Sequence, residues 1–305
     1  MNKIKNVLIC GLGGVGCIYA KSIKDNTSAN LKILVDENRY EKYSTLPRVI
    51  NGIEYSFDFI KPECLDFIAD LIIIATKSNG LESAIKQIHN FVSKDTIIMS
   101  FINGITSETE LSKIYGFEHI VHSYIICHTI FRNNNNITHD GITKIIFNSV
   151  NKNKTHLALL ESFFKEANLS YEIPKDIIKS MWVKFALNCS ANQVSGLSGK
   201  TFGEMMSCKE TVNIISNIIE EIETIAKLEA NINVSTFKEE VFQQFDLMIP
   251  DGKTSMLQDI ESGRLPELDL FGETILNLAR KHKINVPTNQ NIYDKLCKKL
   301  LKTSI

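Results

Sequence analysis

Three polar side chains recur every four residues in an otherwise apolar stretch of the chain. The segment SMWVKFALNCSANQVSGL, residues 180–197, contains Lys184, Asn188 and Asn192. Because four residues are close to one helical turn, the pattern predicts a buried helix on which an ammonium and two amides lie in a row. Such an ammonium can stabilise negative charge and transfer a proton, and neutral amides can orient a bound hydroxyl or carboxylate. The alternative is structural: a lysine whose stem lies along apolar surface, and asparagines that bond neighbouring helices.

A glycine-rich turn lies near the start of the chain. CGLGGVG places Gly11, Gly13 and Gly16 in a G-x-G-x-x-G arrangement between a predicted strand and a predicted helix. In that context Gly11 permits a tight turn, Gly13 lets backbone approach a pyrophosphate, and Gly16 lets the helix pack on the strand. Asp36 follows the next predicted strand, where a carboxylate would accept hydrogen bonds from an adenosine ribose. These residues predict a dinucleotide site, with a Rossmann-like domain that has lost its ligand as the alternative.

Asp36 also bears on which dinucleotide is bound. A carboxylate at this position repels the 2′-phosphate of NADPH, so we expect NAD(P)H with a preference for NADH. Arg39 could instead pair with that phosphate if Asp36 turned away.

The composition argues against several classes of protein. The chain has 305 residues, 44% of them hydrophobic and 23% charged, with a formal net charge of −1. This length favours two domains, and the balanced charge favours neither nucleic acid nor a membrane as a partner. No apolar run reaches the roughly 18 residues of a membrane span, so we expect a soluble, cytoplasmic protein. His119, His122 and His128 lie in a predicted strand that divides them between two faces, and we expect no metal site.

The first half of the chain alternates short β-branched apolar runs with amphipathic segments. This texture predicts an α/β fold with a doubly wound, Rossmann-type parallel sheet. We expect its strands at 4–10, 31–35, 70–76, 96–101 and 120–127. RNNNN, residues 132–136, is expected to be a solvated hairpin turn that closes the edge of this sheet.

From about residue 177 the apolar positions recur every three or four residues, which predicts an all-α second half. Pro174 lies close to the boundary. We therefore expect a dinucleotide-binding domain over 1–173 and a helical substrate and catalytic domain over 174–305.

Further motifs accompany these features. Lys77 follows a predicted strand in IIIATKSN, and Asn103 follows the next in SFINGI, at the edge where open α/β sheets bind ligands. Near the C-terminus KTSMLQDIESGRLPELDLFGE contains Ser255 and Glu267. Taken in order with the glycine turn, the W-x-K-x-x-x-N-x-x-x-N helix and the G-R-x-x-E-x-D segment, these motifs resemble the ketopantoate reductase (2-dehydropantoate 2-reductase) family over almost the whole chain.

The resemblance implies a Rossmann domain joined to a helical domain, with the active site in the cleft between them. It also implies an NAD(P)-dependent oxidoreductase that reduces a small-molecule 2-keto acid, ketopantoate, to pantoate, a step toward pantothenate and coenzyme A. By match, Lys184 would be the catalytic lysine and Glu267 would contact both the lysine and the substrate. The substrate-binding residues would be Asn103, Asn188, Asn192 and Ser255, and the cofactor-binding residues would be Gly11, Gly13, Gly16, Asp36, Lys77 and Asn103.

These assignments agree with the chemistry of carbonyl reduction. Hydride arriving at a ketone carbon leaves negative charge on the oxygen, which a positioned ammonium stabilises before it gives up a proton. An apolar neighbourhood disfavours the charged form of Lys184, whereas a nearby Glu267 favours it. Ser255 has an alternative role as the N-cap of a helix that begins S-M-L-Q.

The chain departs from the family pattern where Gly272 and Glu273 stand in place of the usual Asn-Gly. This leaves open a reductase of another branched 2-keto acid. A β-hydroxyacid dehydrogenase-like enzyme is a second alternative, although that group lacks the SMLQD and E-x-D segment. A non-catalytic nucleotide-sensing protein is the third. A helical domain of this size can also support a homodimer.

Overall fold

The computed structural model describes residues 3–127, 130–141 and 143–303. The chain divides into two compact units, unit 1, Met1–Ile177, and unit 2, Ile178–Ile305. Unit 1 runs through β1 (Asn6–Cys10), α1 (Gly14–Asn26), β2 (Asn30–Leu34), α2 (Glu37–Thr45), β3 (Arg48–Ile50), β4 (Ile53–Tyr55), β5 (Asp58–Ile60), β6 (Leu71–Ile74), α3 (Leu81–Gln87), β7 (Ile97–Ser100), α4 (Ser107–Tyr115), β8 (Ile120–Cys127), β9 (Ile130–Asn133), β10 (Asn136–His139), β11 (Thr143–Asn148), α5 (Lys154–Glu166) and β12 (Tyr171–Glu172).

Unit 1 is built on one large sheet with the strand order β12-β11-β8-β7-β6-β1-β2-β5. The six strands from β8 to β5 are parallel, and β11 joins them antiparallel to β8. From β1 the chain first builds outward through β2 to β5 and then returns to β6 on the other side of β1. The predicted doubly wound sheet is therefore confirmed, and β1 and β6 flank the switch point where such sheets bind ligands.

The apolar runs fill this sheet because both of its faces are covered. Along β1, Val7 and Ile9 belong to a core that includes α1 and α5, whereas Leu8 and Cys10 belong to a second core that includes α3 and α4. Alternate residues of a strand point to opposite faces, so a strand buried on both sides needs an unbroken apolar run. Each fully buried side chain of this kind contributes roughly 1.5–3 kcal/mol.

The asparagine-rich segment forms a hairpin, as predicted, but not at the edge of the large sheet. Strands β9 and β10 pair antiparallel around it, and they lie in a separate four-stranded sheet of order β4-β3-β10-β9. The expected position was wrong because the edge of β8 is already occupied by β11 along its length, from His122 to Cys127. The hairpin pairs instead with β3, through Asn136 and Ile137.

Unit 2 contains helices and no strand among its described residues, as the spacing of apolar residues predicted. The long helix α6 (Ile177–Ser198) crosses the boundary between the units, and a π-helical segment, Asp269–Glu273, runs directly into α11. No helix of the described chain is long and apolar enough to traverse a bilayer. The remaining helices are α7 (Phe202–Ser207), α8 (Lys209–Ala230), α9 (Phe237–Asp246), α10 (Ser255–Glu261), α11 (Thr274–His282) and α12 (Pro287–Thr303).

A buried acid lies in the first turn of α4. Glu108 is 3% exposed, its Oε2 accepts a hydrogen bond from Ser107 Oγ at 3.0 Å, and its Oε1 has no partner among the described residues. Burial raises the pKa of this carboxyl to about 7, against hydrogen bonds from backbone N–H groups and Ser107 that lower it. The native state therefore binds this proton more tightly than the unfolded chain does.

We expect Glu108→Gln to change how stability depends on pH. The wild-type carboxyl has a folded pKa of about 7 against a reference of 4.5, so its contribution to stability is lost as pH rises through that window. The free energy of unfolding of the variant, relative to wild type, should rise by on the order of 2 kcal/mol between about pH 5 and about pH 8. Urea unfolding at both pH values measures it. Glu110→Gln, an exposed acid on the same helix, is the control, and an equal difference at both pH values would contradict the assignment.

Candidate functional site

The glycine turn joins β1 to α1 by a backbone contact that leaves no room for a side chain. Gly11 has φ +106°, and a Cβ there would lie 2.7 Å from the carbonyl carbon and oxygen of Ala75, just beyond β6. At Gly16 a Cβ would lie 1.9 Å from the carbonyl oxygen of Gly11. Both glycines are therefore needed for the turn itself, by conformation at the first and by close packing at the second.

Gly13 serves a different purpose. It is the N-cap of α1, and no described side chain caps the helix there. A Cβ at Gly13 would meet, among the described residues, only Nη1 of Arg132 at 3.9 Å, so the fold itself does not require a glycine. A bare backbone at a helix N-terminus leaves N–H groups and the positive end of the dipole accessible to an anion. The turn therefore fits a dinucleotide pyrophosphate.

Asp36 lies past the end of β2 as the N-cap of α2. Its Oδ1 accepts a hydrogen bond from the backbone N–H of Arg39 at 2.8 Å, and its Oδ2 lies 3.4 Å from Nη1 of the same arginine. The two residues whose opposing effects on a 2′-phosphate were predicted are thus bonded to each other. This pairing partly offsets the negative charge that the carboxylate would present to a ribose.

Lys77 and Asn103 follow β6 and β7, and both residues are exposed. Lys77 begins a 3₁₀ turn, Ser78–Gly80, whose last N–H donates to the Lys77 carbonyl at 2.9 Å. Since β2, β1, β6 and β7 are adjacent and parallel, all six predicted cofactor residues lie at or just beyond one end of four neighbouring strands. The structure brings these six residues to one edge of the sheet.

Helix α6 carries the three polar residues Lys184, Asn188 and Asn192. From Met181 to Gly196 every residue is buried except Lys184 and Asn188, which are half-buried. These two residues are one turn apart and therefore share a face of the helix. The helix end is held by Lys299 Nζ, which donates to the carbonyl of Gly196 at 2.7 Å. A rigid, packed helix thus presents an ammonium and an amide side by side.

Asn192, the third residue of the row, links α6 to α10. Its Nδ2 donates to the carbonyl of Asn188 at 3.0 Å, and its Oδ1 accepts from both Ser255 Oγ and the backbone N–H of Met256, each at 3.1 Å. Ser255 is not the N-cap of α10, as its alternative role supposed. Thr254 is, because its side chain accepts from the N–H of Leu257 at 3.2 Å. The Ser255 hydroxyl is therefore oriented by Asn192.

Glu267 precedes the π-helical segment that packs on α6. In that segment Phe271 lies with its ring centroid 6.5 Å from that of Phe185, the neighbour of Lys184. A Cβ at Gly272 would lie 2.3 Å from Cδ2 of Tyr293 and 2.9 Å from Oε1 of Gln193. Tyr293 therefore leaves no room for the asparagine that the family usually has at position 272. Single π-turns of this kind recur at functional sites.

Two candidate functional residues of unit 1, both arginines, were not predicted from the sequence. Arg48 lies on β3 and Arg132 on β9, and Nη1 of Arg132 lies beside Gly13 of the glycine turn. In the sequence, the one sign that these arginines share a face with buried residues is their spacing. Each lies two positions from an isoleucine within a short strand.

The described residues contain no group of three or more His, Cys, Asp or Glu side chains that could hold a metal ion. His128 lies outside the described residues.

Known proteins match this chain along nearly its whole length. The family model Ketopantoate reductase PanE/ApbA matches residues 7–152, and Ketopantoate reductase PanE/ApbA C terminal matches residues 176–299. A 2-dehydropantoate 2-reductase of Aquifex aeolicus is 26% identical over 303 residues, 95% of either chain. YkpB of Bacillus subtilis, an uncharacterized oxidoreductase, is 23% identical over 295 residues, 95% of this chain and 97% of its own.

A solved structure shows the same fold at lower identity. The ternary structure of a D-mandelate dehydrogenase with NADH and anilino(oxo)acetate has a TM-score of 0.84 at 20% identity, and the match covers 98% of this chain and 100% of the other. The two family models, in contrast, reach beyond the fold, because they match the segments that carry the glycine turn and the lysine helix. This chain belongs to the ketopantoate reductase family of oxidoreductases.

Proposed function

We propose that this chain reduces 2-dehydropantoate, a branched 2-keto acid, to pantoate with NAD(P)H. A hydride is added to the ketone carbon and a proton to its oxygen, so the products are the 2-hydroxy acid and NAD(P)⁺. A reduced nicotinamide, when bound, supplies the hydride. The remaining tasks fall to side chains of this chain.

The observation that carries the proposal is the exposure pattern of α6. A lysine and an asparagine are the only residues from 181 to 196 that are not buried, and they share one face of the helix. A structural helix could place Leu or Ala at both positions and gain burial energy. An ammonium and an amide at that face fit a site that binds a polar, negatively charged molecule.

Lys184 would act on the ketone oxygen. Its ammonium stabilises the negative charge that develops there and then donates the proton that completes the alcohol. Glu267, at the start of the segment that packs on α6, would hold Lys184 in its charged form and contact the substrate. Both roles depend on the carboxylate and the ammonium facing the same bound molecule.

The other predicted residues would bind and orient. Asn188 and Asn103 would hydrogen-bond the substrate, and Ser255 would bind its carboxylate. Asn192 already links two helices of unit 2, because its Oδ1 accepts hydrogen bonds from the Ser255 hydroxyl and from the Met256 N–H. We infer that its share in substrate binding is to position Ser255.

The cofactor would lie on the glycine turn. Gly11, Gly13 and Gly16 shape the turn, the N-terminus of α1 receives the pyrophosphate, and Asp36 accepts the ribose hydroxyls. Lys77 and Asn103 would contact the cofactor from the neighbouring strand ends. Asp36 favours NADH over NADPH, although its pairing with Arg39 reduces that preference.

A second candidate is the reduction of a different 2-keto acid. Gly272 stands in place of the family's usual asparagine. Tyr293 and Gln193 lie where a side chain at that position would begin, so unit 2 differs here from the family pattern. The D-mandelate dehydrogenase of similar fold is named for another 2-hydroxy acid, which supports this candidate. The homodimer expected from the size of the helical domain is likewise still a prediction.

A direct assay tests the substrate and the cofactor together. The purified protein is mixed with NADH or NADPH and with ketopantoate, 2-ketoisovalerate, pyruvate or phenylglyoxylate, and the loss of nicotinamide absorbance is followed. We expect the highest kcat/KM with ketopantoate, and with NADH above NADPH. Preference for another acid would establish the second candidate. Cofactor binding without oxidation of any acid would instead support a nucleotide-sensing protein.

Removal of the ammonium at Lys184 should abolish turnover and spare the cofactor. Lys184→Met keeps the length of the side chain, so we expect kcat to fall by roughly 100-fold or more while the Kd for the dinucleotide stays within about twofold. Steady-state kinetics and fluorescence titration measure the two quantities. Lys227→Met, at an exposed position of α8, is the matched control. Unchanged kcat in the Lys184 variant would remove the lysine from the mechanism.

A further inference from the structure

The small four-stranded sheet of unit 1 packs one face against α1, and that face is not wholly apolar. Ile137 of β10 pairs with Ile50 of β3 and with Arg132 of β9. Cross-strand partners project to the same side of a sheet, and so do residues two apart on one strand. Arg132 and Arg48 therefore project to the same side as the two isoleucines, which are buried in the core that also contains Cys17 of α1.

Arg48 is a buried cation whose donors are not all used. Its side chain lies over the ring of Tyr43, with the guanidinium carbon 4.0 Å from the ring centroid, and the residue is only 4% exposed. Among the residues that the structure describes, neither Nε nor Nη2 has a hydrogen-bond partner, and both atoms are buried. Burial of unpaired charge is costly, and native proteins satisfy nearly all buried polar groups. A ligand with acceptor oxygens would remove that cost.

Arg132 lies beside the N-terminal end of α1, and Arg48 projects from the sheet face whose Ile50 shares a core with Cys17 of that helix. Burial raises the pKa of the Cys17 thiol to about 11, and the charges of Arg48 and Arg132 act against that rise. Nη1 of Arg132 would lie 3.9 Å from a Cβ on Gly13. Ile130, on the same strand, lies still closer to the turn, since a Cβ on Gly14 would be 2.6 Å from its Cγ2.

We propose that Arg48 and Arg132, together with the N-terminus of α1, bind a phosphate group of the dinucleotide. The inference deepens the proposed function and rests on it, and it turns the asparagine hairpin from a solvated turn into part of the cofactor site. Two guanidinium groups on one face of the small sheet, with a helix N-terminus beside that face, offer the kind of donors that phosphate oxygens favour. Two phosphates could supply these oxygens: the pyrophosphate, or the 2′-phosphate that distinguishes NADPH from NADH.

Three variants test the site. Arg132→Gln removes an exposed charge and should fold, Arg48→Met removes the buried charge at similar volume, and Arg280→Gln removes an exposed arginine of α11 as the matched control. The Kd for NADH and for NADPH is measured by fluorescence titration at one ionic strength. We expect roughly ten- to a hundredfold weaker binding for each of the first two variants and no change for the control.

The two dinucleotides identify the phosphate. Loss of affinity for NADPH alone assigns the arginines to the 2′-phosphate, whereas an equal loss for NADH and NADPH assigns them to the pyrophosphate. Wild-type affinity of Arg132→Gln for both dinucleotides would overturn the proposal, and so would that of a folded Arg48→Met. If Arg48→Met does not fold, Arg132→Gln decides.

The thermal stability of the ligand-free protein separates this role from a structural one. Arg48→Met should not lower the Tm, because it removes a buried charge two of whose donors lack partners among the described residues, and a structural Arg48 would give a lower Tm with unchanged affinity. If the wild type binds neither dinucleotide, the proposed function fails, and the phosphate site is then tested separately. In that case inorganic pyrophosphate should still raise the Tm of the wild type more than that of Arg132→Gln, and equal shifts would overturn the site.

Discussion

The backbone of Gly11 lies against the backbone at Ala75 and Thr76, and unit 1 depends on that contact. Atoms of both residues would lie within 2.8 Å of a side-chain carbon at Gly11, so β1 and β6 can meet at the switch point only if position 11 has none. The same turn leaves Gly16 against the carbonyl of Gly11, which fixes the approach of α1 to the sheet. The N-terminus of α1 is thereby held beside the aligned ends of the parallel strands β2, β1, β6 and β7.

Unit 2 solves a different problem, which is to keep polar groups in a buried helix. Asn192 is tolerated in α6 because the hydrogen bonds of its amide join α6 to the start of α10. Lys184 and Asn188 are tolerated because they lie on the one face that is not fully buried. The π-helical segment contacts the same helix through Phe271 and Gly272. The lysine is thus held on a rigid element, so a bound carbonyl would meet it at a defined position.

Arg48 and Glu108 show where unit 1 gives up stability. Each is a buried ionisable side chain with at least one polar atom that has no partner among the described residues. Glu108 meets this cost with a raised pKa, because a carboxyl can become neutral. A guanidinium cannot, since arginine keeps its proton at any ordinary pH. The donors of Arg48 therefore need acceptor oxygens from outside the described residues, and a phosphate group can supply them.

The sequence by itself determined the classes of structure and the positions of most groups that could do chemistry. Unbroken apolar runs between amphipathic segments required a parallel sheet covered on both faces, and the glycine spacing located the turn at its switch point. The four-residue period placed Lys184 and Asn188 on one helical face, as the structure shows.

Tertiary structure alone decided the partners. The hairpin around the asparagine run could be seen in the sequence, yet it pairs with β3 because β11 already occupies β8, and pairing between distant strands leaves no local signal. Thr254, not Ser255, caps α10, because a cap depends on the backbone angle at which the chain enters the helix. The position of Arg48 and Arg132 beside α1 could not be predicted either, because it also depends on pairing between distant strands. A two-residue period says which residues share a face, but only the packed sheet shows that this face meets the glycine turn.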